Sequence, residues 1–522
     1  MNDWHLIPNA WDGLKWHQNK GNLQLNFFLS VIFVGMVLNG YDGTIISGLQ
    51  AMDSWNADLG NPNRTKIGLL NACGNMSGFV VGPIITWIDE KYGRKWGIRF
   101  YSYTLLIGSV IGCCAGIPGV DGYALFVTGR AIIGLGLASF LLTSLAVVQE
   151  ITHPRNRVTI AHSWNSYWIL GSVIANFTVF GTSYIASSWG WRIPYLMQVP
   201  MALYILIAVQ FMPETPRFLM SVGREEEAMG FLVKYHGNGN PDDELVLFEF
   251  EEIKEAIKME KIARGTSWKT LLSSRGNQHR LGLAALMSFM VSLSGSSIFY
   301  YYYTVIFTLA GITGASTQTG INAGLSMFTW FCQIAAVLLG KKVGRRPFLL
   351  GIWPLLLVCL AGVCAALGVS QNNPENRAAS VATVVMVWLY LGFFNFSNPV
   401  LWSYPAEVQT FTMRSKGLLL WNQINQLCGA YTTWVDSIAL GKIGYKYVAV
   451  YIPLVVIQWG LAYKFMVEAK GLTLEQIAEV FDGPGSFTSH AHHQHLSNDD
   501  VEARRSDPFA DDVAAKEYVE DK

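Results

Sequence analysis

The chain reads as an all-α membrane protein: twelve transmembrane helices in two repeated halves of six, with cytoplasmic helices between the halves. Three observations predict this. Mean hydropathy is +0.29 and only 14% of the 522 residues are charged, a balance that soluble chains of this size do not show. Apolar runs of about the 20 residues needed to cross a bilayer number six before a charged interval at 213–280 and six after it. A charged pattern also occurs twice: Gly93-Arg94-Lys95, then Glu150 with Arg157, then Glu214, against Gly344-Arg345-Arg346, then Glu407 with Arg414, then Glu468. The two copies are offset by 251, 257 and 254 residues, and three signals recurring in order at a nearly constant shift imply two structurally repeated halves.

In chain order the runs fall at about 27–46, 67–87, 98–117, 127–148, 161–184 and 193–212, then at about 283–309, 320–340, 347–369, 380–403, 417–437 and 447–467. The longest uncharged stretch, 281–340, must hold two crossings, and GITGASTQTG in its middle supplies the turn. The expected organisation is a cytoplasmic segment at 1–26, a first half at 27–212, a linker at 213–280, a second half at 281–467 and a cytoplasmic tail at 468–522, disordered beyond about 484. The linker sequence DELVLFEFEEIKEAIKMEKIAR has the pattern of an amphipathic helix.

Net charge is zero, which gives no reason to expect a nucleic-acid partner. The positions of the charges are more informative. Loops after the second, fourth, eighth and tenth runs carry Lys91, Arg94, Lys95, Arg99, Arg155, Arg157, Lys341, Lys342, Arg345, Arg346, Arg414 and Lys416, so by the positive-inside bias these loops and both termini face the cytoplasm. Asn63, in an Asn-Arg-Thr sequon after the first run, is then outside and open to glycosylation, whereas the sequons at Asn75, Asn176 and Asn395 fall inside spans and read as chance. All seven cysteines lie in spans and are expected to be free thiols. The N-terminal 22 residues have no hydrophobic signal-peptide core, so the first span must act as its own insertion signal.

Span one ends in GYDGTIISG, which places Asp42 at membrane depth beside two glycines. An ionisable group there is costly and points to function, and its expected partner is Arg130 at the start of span four. Asp42 is the only carboxylate placed deep in a span near the expected cavity. Gly134, Gly136 and Ala138, which follow Arg130, read as helix-packing residues.

Over residues 27–480 the chain resembles the sugar porter family of the major facilitator superfamily. The matching motifs are GYDG at 40–43, DEKYGRK at 89–95, GRAIIGLG at 129–136, the Glu150 to Arg157 spacing, WGWRIP at 189–194, PETPRFL at 213–219, GREEEA at 223–228, VGRRP at 343–347, PVLWSYPAE at 399–407 and EAKGLTLEQI at 468–477. The resemblance implies a cytoplasmic gate of ion pairs, with Asp89, Arg94, Glu150, Arg157, Glu214 and Arg217 in the first half and Arg345, Arg346, Glu407, Arg414 and Glu468 in the second. Lys341 stands where the family usually has an acidic residue. The implied substrate contacts are Asn165, Ser297, Tyr301, Tyr302, Thr329, Trp402, Asn425 and Gln426, with Trp402 able to stack on a sugar ring while the amides bind hydroxyls. Several positions depart from the family's usual amides: Val291 and Ser292 replace a Gln pair, and Ser297 replaces an Asn. Tyr300, Tyr301, Tyr302 and Tyr303 point all round a helix and cannot all line one cavity.

No nucleotide-binding loop, catalytic triad or metal-ligand spacing occurs, so neither an enzyme nor a cofactor is expected. His490, His492, His493 and His495 lie in the polar tail, where a metal site has no scaffold. The sequence therefore predicts a monomeric alternating-access carrier in the lipid bilayer of the plasma membrane, moving a hexose or disaccharide with protons through Asp42 and Arg130. The less polar site leaves a glycoside or an apolar metabolite, carried in or out, as a second cargo class, and a non-transporting sugar sensor as a third reading.

Overall fold

The computed structural model describes residues 20–264, 272, 274–340, 343–373, 376–409, 414–470 and 480–482. The first half contains α1 (Lys20–Leu49), α2 (Asp53–Asp58), α3 (Arg64–Tyr92), α4 (Arg94–Cys113), α5 (Gly122–Ile151), α6 (Pro154–Thr182), α7 (Trp189–Leu196) and α8 (Gln198–Phe211). Three shorter helices follow: α9 (Pro216–Ser221), α10 (Glu225–Tyr235) and α11 (Glu244–Arg264). The second half contains α12 (Arg275–Ser292), α13 (Ser296–Tyr301), α14 (Tyr303–Leu309), α15 (Ala315–Gly340), α16 (Arg345–Asn372), α17 (Arg377–Val408), α18 (Arg414–Ile443), a 3-10 turn (Gly444–Val450) and α19 (Tyr451–Phe465).

Every apolar run expected from the sequence falls on one or more of these helices. Among the described residues nine helical runs are long and apolar enough to cross a membrane, and the last, Lys416–Phe465, at 50 residues is long enough for two crossings. The runs at 98–117 and 161–184 form α4 and α6, helical over 20 and 29 residues but outside those nine. Helix starts follow local chemistry: Asn63 caps α3 by accepting from Lys66 N at 2.9 Å, Asp121 caps α5, and Pro154 and Pro216 occupy first helical positions.

Two separate cores mark the halves. One packs Ile32, Phe140, Trp191 and Tyr195, and the other Met287, Trp353, Leu360 and Tyr404. The halves meet along two seams, α3 against α18 and α6 against α15. Within the first half α1 and α6 approach until a Cβ on Gly40 would lie 1.8 Å from the Trp168 carbonyl oxygen, so only glycine fits; small residues at helix contacts are the membrane counterpart of core packing. The linker helices have a small core of Leu219, Met220, Ala228 and Ile257.

The run expected as one span at 283–309 is not one helix. Gly295 takes φ +95, a left-handed conformation that side chains disfavour, and the chain breaks there and again at Tyr302 into α12, α13 and α14. Freed carbonyls cannot stay unpaired at membrane depth. Tyr390 donates to the Ser294 carbonyl at 2.8 Å, and Gln458 donates to the Leu293 carbonyl at 3.1 Å and also to the Phe289 carbonyl, which already accepts from Leu293 N.

Candidate functional site

Asp42 is wholly buried on α1, and Arg130 on α5 donates to its Oδ2 at 2.5 Å. α3 leaves room for the guanidinium: the nearest atom to a Cβ placed on Gly74 is the Arg130 Nη2, at 3.8 Å. A buried pair is tolerated because each charge compensates the other's desolvation, and loss of one partner strands the other. The structure thus brings together the two residues expected to form the coupling pair, away from solvent.

The expected substrate contacts separate into two groups. Asn165 on α6 has a buried Nδ2 without a partner among the described residues, and Gln426 on α18 lies where a Cβ on Gly78 of α3 would reach it at 2.9 Å, across a seam. Trp402 stands edge-to-face with Trp421 at 4.9 Å between ring centroids. Others are already engaged. Thr329 donates to its own helix at Ser326, Asn425 accepts from Ser292 at 2.6 Å, and Ser297 donates to Asp436. Tyr302 donates to the Thr433 carbonyl and accepts from Asn71 of the other half at 3.0 Å, while the Tyr301 carbonyl accepts from Gln50 at 3.2 Å.

Three further amides belong with this set. Among the described residues, Gln333, one turn beyond Thr329 on α15, has neither Nε2 nor Oε1 paired although it is buried, and Asn422 and Gln423 on α18 also have buried atoms without partners. Gln423 reaches within 2.4 Å of a Cβ placed on Gly82. The sequence signal for these was present in Gly74, Gly78 and Gly82, one small residue per turn on the face of α3 that meets α5 and α18.

Arg94, Lys95, Arg157, Arg345 and Arg346, at the starts of α4, α6 and α16, mark a basic end of the molecule. At the opposite, far end the seams are closed by the Gln50–Tyr301 and Asn71–Tyr302 contacts, by Ser437 donating to the Arg64 carbonyl at 2.7 Å, and by Asn322 donating to Asn176 at 2.8 Å. Above this closure lies an open polar cavity of about 540 Å³ lined by residues that include Gln50, Asp53, Asn56, Arg64, Thr304 and Gln318.

Asp436 corrects the expectation that Asp42 is the only carboxylate deep in a span. It lies within the run expected at 417–437 and is wholly buried on α18, where it accepts from Ser297, from Tyr447 at 2.9 Å and from Tyr451 at 2.5 Å. One carboxylate near the end of an apolar run reads as a loop residue; only the arrival of three hydroxyls from other helices shows otherwise.

At the basic end the repeat is visible atom by atom. Arg94 pairs with Glu150 at 3.1 Å, and Arg345 pairs with Glu407 at 3.2 Å. Glu214 accepts from Lys95 N at 3.2 Å at the start of α4, and Glu468 accepts from Arg345 N and Arg346 N at 2.9 and 3.0 Å at the start of α16. A carboxylate at a helix start meets unpaired amides and the positive end of the helix dipole. Burial nevertheless raises the Glu214 carboxyl above its ordinary range, against the opposing pull of the Lys95 amide. Asp89 accepts from Thr143, Thr215 donates to Glu150 at 2.6 Å, and Arg217 lies on α9, which packs on α5 and α11. Arg346 donates to the Tyr463 carbonyl at 2.8 Å, so it holds the end of α19. Lys341, the side chain of Arg414 and the four tail histidines lie outside the described residues.

Arg157 pairs with Glu249 of the linker at 2.7 Å. Glu249 also meets Nδ1 of His236 at 2.6 Å, and the other ring nitrogen faces the Ile151 carbonyl at 3.2 Å. His153 packs edge-to-face on His236 at 5.3 Å. Burial, and then the neighbouring His236, push the His153 pKa down to about 3. Burial pushes Glu249 up, but His236 and Arg157 outweigh it, so its carboxyl lies below the ordinary range.

A two-halved helical membrane protein with a buried charge pair, amides on the facing helices and matched ion pairs at one end has the build of a carrier. The model for the family described as "Sugar (and other) transporter" matches residues 28–481, and the chain belongs to that family. The Saccharomyces cerevisiae hexose transporter HXT11 is 27% identical over 467 residues, covering 86% of this chain and 81% of that protein. The low-affinity glucose transporter HXT4 of the same yeast is 26% identical over 471 residues, covering 87% and 80%. The fold is that of the Escherichia coli xylose transporter XylE in a partially occluded inward open conformation, with TM-score 0.71 and 18% identity over 86% of this chain and 99% of that one. XylE bound to 6-bromo-6-deoxy-D-glucose, described as a proton:xylose symporter, gives TM-score 0.71 at 20% identity over 88% and 99%.

Proposed function

We propose that this protein carries a sugar, a hexose or a disaccharide, across the plasma membrane by alternating access in symport with protons. The observation that carries this reading is the set of buried amide atoms without partners among the described residues at Asn165, Gln333, Asn422 and Gln423, all on helices that form the two seams. A buried amide without a partner costs about 1–3 kcal/mol, and a ligand bearing many hydroxyls completes it. The sugars in the names of the yeast relatives agree with that chemistry. Coupling is assigned to Asp42 and Arg130: protonating Asp42 frees the guanidinium and lets the halves rearrange around bound substrate.

In this reading the chain makes twelve crossings as a monomer, with halves at 27–212 and 281–467 joined by the 213–280 linker. It performs no covalent chemistry. The basic end and both termini face the cytoplasm. The far end is extracellular, and exposed Asn63, the cap of α3, is glycosylated there. The latches at Arg94–Glu150 and Arg345–Glu407 join helix ends and part when the cytoplasmic side opens.

The test is uptake by proteoliposomes of labelled monosaccharides, disaccharides and glycosides, with and without an inward proton gradient. Accumulation of a sugar above its external concentration, abolished by an uncoupler, is the expected result. Gradient-insensitive equilibration would make the protein a facilitator, outward pumping would make it an exporter, and absence of flux for every compound would favour a sensor.

A further inference from the structure

The two halves can be compared residue by residue at their first helices. Gly40-Tyr41-Asp42 on α1 and Gly295-Ser296-Ser297 at the break before α13 are 255 residues apart, within the 251–257 range of the other repeated signals. Asp42 thus has Ser297 as its counterpart. In the second half the carboxylate comes from a different helix: Asp436 of α18 reaches Ser297 and lies wholly buried. Each half therefore buries one carboxylate at this point, on the element itself in the first half and against it in the second, and the two are held differently. Asp42 faces a guanidinium, whereas Asp436 is held by three hydroxyls and pairs with no Lys, Arg or His among the described residues.

Ionised, Asp436 accepts all three hydrogens, from Ser297 on α13, Tyr447 in the 3-10 turn and Tyr451 on α19. Hydrogen bonds to a charged acceptor are worth about twice neutral ones. A proton on Asp436 cancels the charge and supplies an O–H that must itself donate, so at least one hydroxyl has to turn round and become an acceptor. It strands no cation, unlike a proton on Asp42. The other titratable or charged side chains near this pocket are Tyr302 at the end of α13, Tyr431 on α18, Arg64 of α3 packed on Gly441, and Lys442 and Lys446, both exposed.

What Asp436 holds matters most. α13 is six residues long and lies between two backbone breaks. Its last residue, Tyr301, and its cap, Tyr302, carry the two contacts that shut the far end of the seam, to Gln50 and to Asn71. The Tyr451 ring packs where a Cβ on Gly295 would lie, at 3.0 Å, so the hydroxyl network and the hinge are in contact.

We propose that Asp436 is a second proton-accepting residue of the transport cycle: ionised, it ties α13 down and keeps the far end shut; on taking a proton from that side, it releases α13 and lets the seam open. This rests on the proton-coupled reading and on its orientation, but assigns to the second half a device that Asp42 does not supply.

Ile67 on α3 is buried against the core of the other half and lines the cavity above the closure, so its exposure reports opening. In the full-length protein, Ile67→Cys is labelled from outside with a membrane-impermeant thiol reagent between pH 5 and pH 8, without sugar, and the signal of the protein lacking this substitution is subtracted. Labelling is expected to be several-fold faster at pH 5 than at pH 8. With Asp436→Asn added it should be fast and flat across the range. Tyr451→Phe, which removes one donor from the anion and guards against misfolding of the Asn variant, should move the midpoint up by about one pH unit. The pH response surviving intact in Asp436→Asn, or an unmoved midpoint in Tyr451→Phe, would overturn the proposal. A pH response that obeys these expectations in a protein that never concentrates sugar would retain the latch and reject symport alone.

Discussion

Asp42 sits at zero exposure with its only described cation 2.5 Å away, so a change that removes its charge while keeping its shape tests coupling directly. Asp42→Asn is expected to bring the ratio of internal to external sugar down to about one under an inward proton gradient, while some counterflow exchange persists; pH-dependent accumulation by the variant would remove Asp42 from the coupling step. A second contrast separates the side chain proposed to face the ligand from one that is self-satisfied. Trp402→Ala removes an aromatic face worth about 0.5–1.5 kcal/mol and should raise KM by up to roughly tenfold. Thr329→Val removes a hydroxyl already spent on Ser326 and should leave KM within about twofold. Equal effects on initial-rate uptake would place the cavity on the other face of α15. Asp42, Arg130 and Trp402 were legible in the sequence because an ion at membrane depth and an indole in a matched motif are conspicuous as residue types. Gln333, Asn422 and Gln423 were not, because an amide in an apolar run says nothing of whether it is paired until its neighbours are placed.

Helix ends carry the next set of consequences. Arg94→Ala and Arg345→Ala should each slow the return of the unloaded carrier, with the larger effect at Arg94. Glu150 is only 8% exposed, against 26% for Glu407, and also serves Thr215, so removing its cation strands a more deeply desolvated charge. A barrier change on the order of 1 kcal/mol corresponds to a several-fold loss of net uptake with exchange less affected. Normal net uptake at normal abundance in both variants would sink the latch. The connection between α5 and α6 predicts a pH effect on stability. His153 is buried with its pKa at about 3, so the folded protein keeps it neutral while the unfolded chain takes a proton below about pH 6.5. Stability should therefore be full above that value and fall as pH drops towards 3, by up to about 1.4 kcal/mol per pH unit, and Glu249, held down in the folded state, adds loss in the same direction below its ordinary range. His153→Asn keeps a capping side chain and should flatten the slope of thermal midpoint against pH between 6.5 and 5; an unchanged slope would place the titrating group elsewhere. Glu214 and Glu468 could be listed from the sequence as repeated charges, but their shared task at the starts of α4 and α16 appears only when those helix ends are in place.

At the scale of the molecule, transport requires the two seams to open alternately, and α3 meets α18 through glycines. Gly82→Val adds bulk where Gln423 already lies 2.4 Å from a Cβ position and should wedge the seam, cutting equilibrium exchange roughly tenfold at normal surface abundance, in line with an overpacking cost of about 1–3 kcal/mol. Unaltered exchange would show that this part of the seam does not close during the cycle. The sequence by itself determined the fold class and the repeated charges that the structure pairs at one end of the molecule. Hydropathy, the length of a crossing and the placing of basic loops are properties of consecutive residues, and the repeat of Arg94, Glu150 and Glu214 in Arg345, Glu407 and Glu468 is written along the chain. Only the tertiary structure decided that the seventh run breaks at Gly295, that Arg157 turns to the linker's Glu249, and that Asp436 is a buried hub. Each of these depends on atoms brought together across the fold: Tyr390 and Gln458 to take up the carbonyls freed by the break, His236 beside Glu249, and three hydroxyls from separate elements around one carboxylate. A linear pattern fixes which residues are apolar and how long the helices run, but the pairing of a buried polar group is set by whatever packing places opposite it.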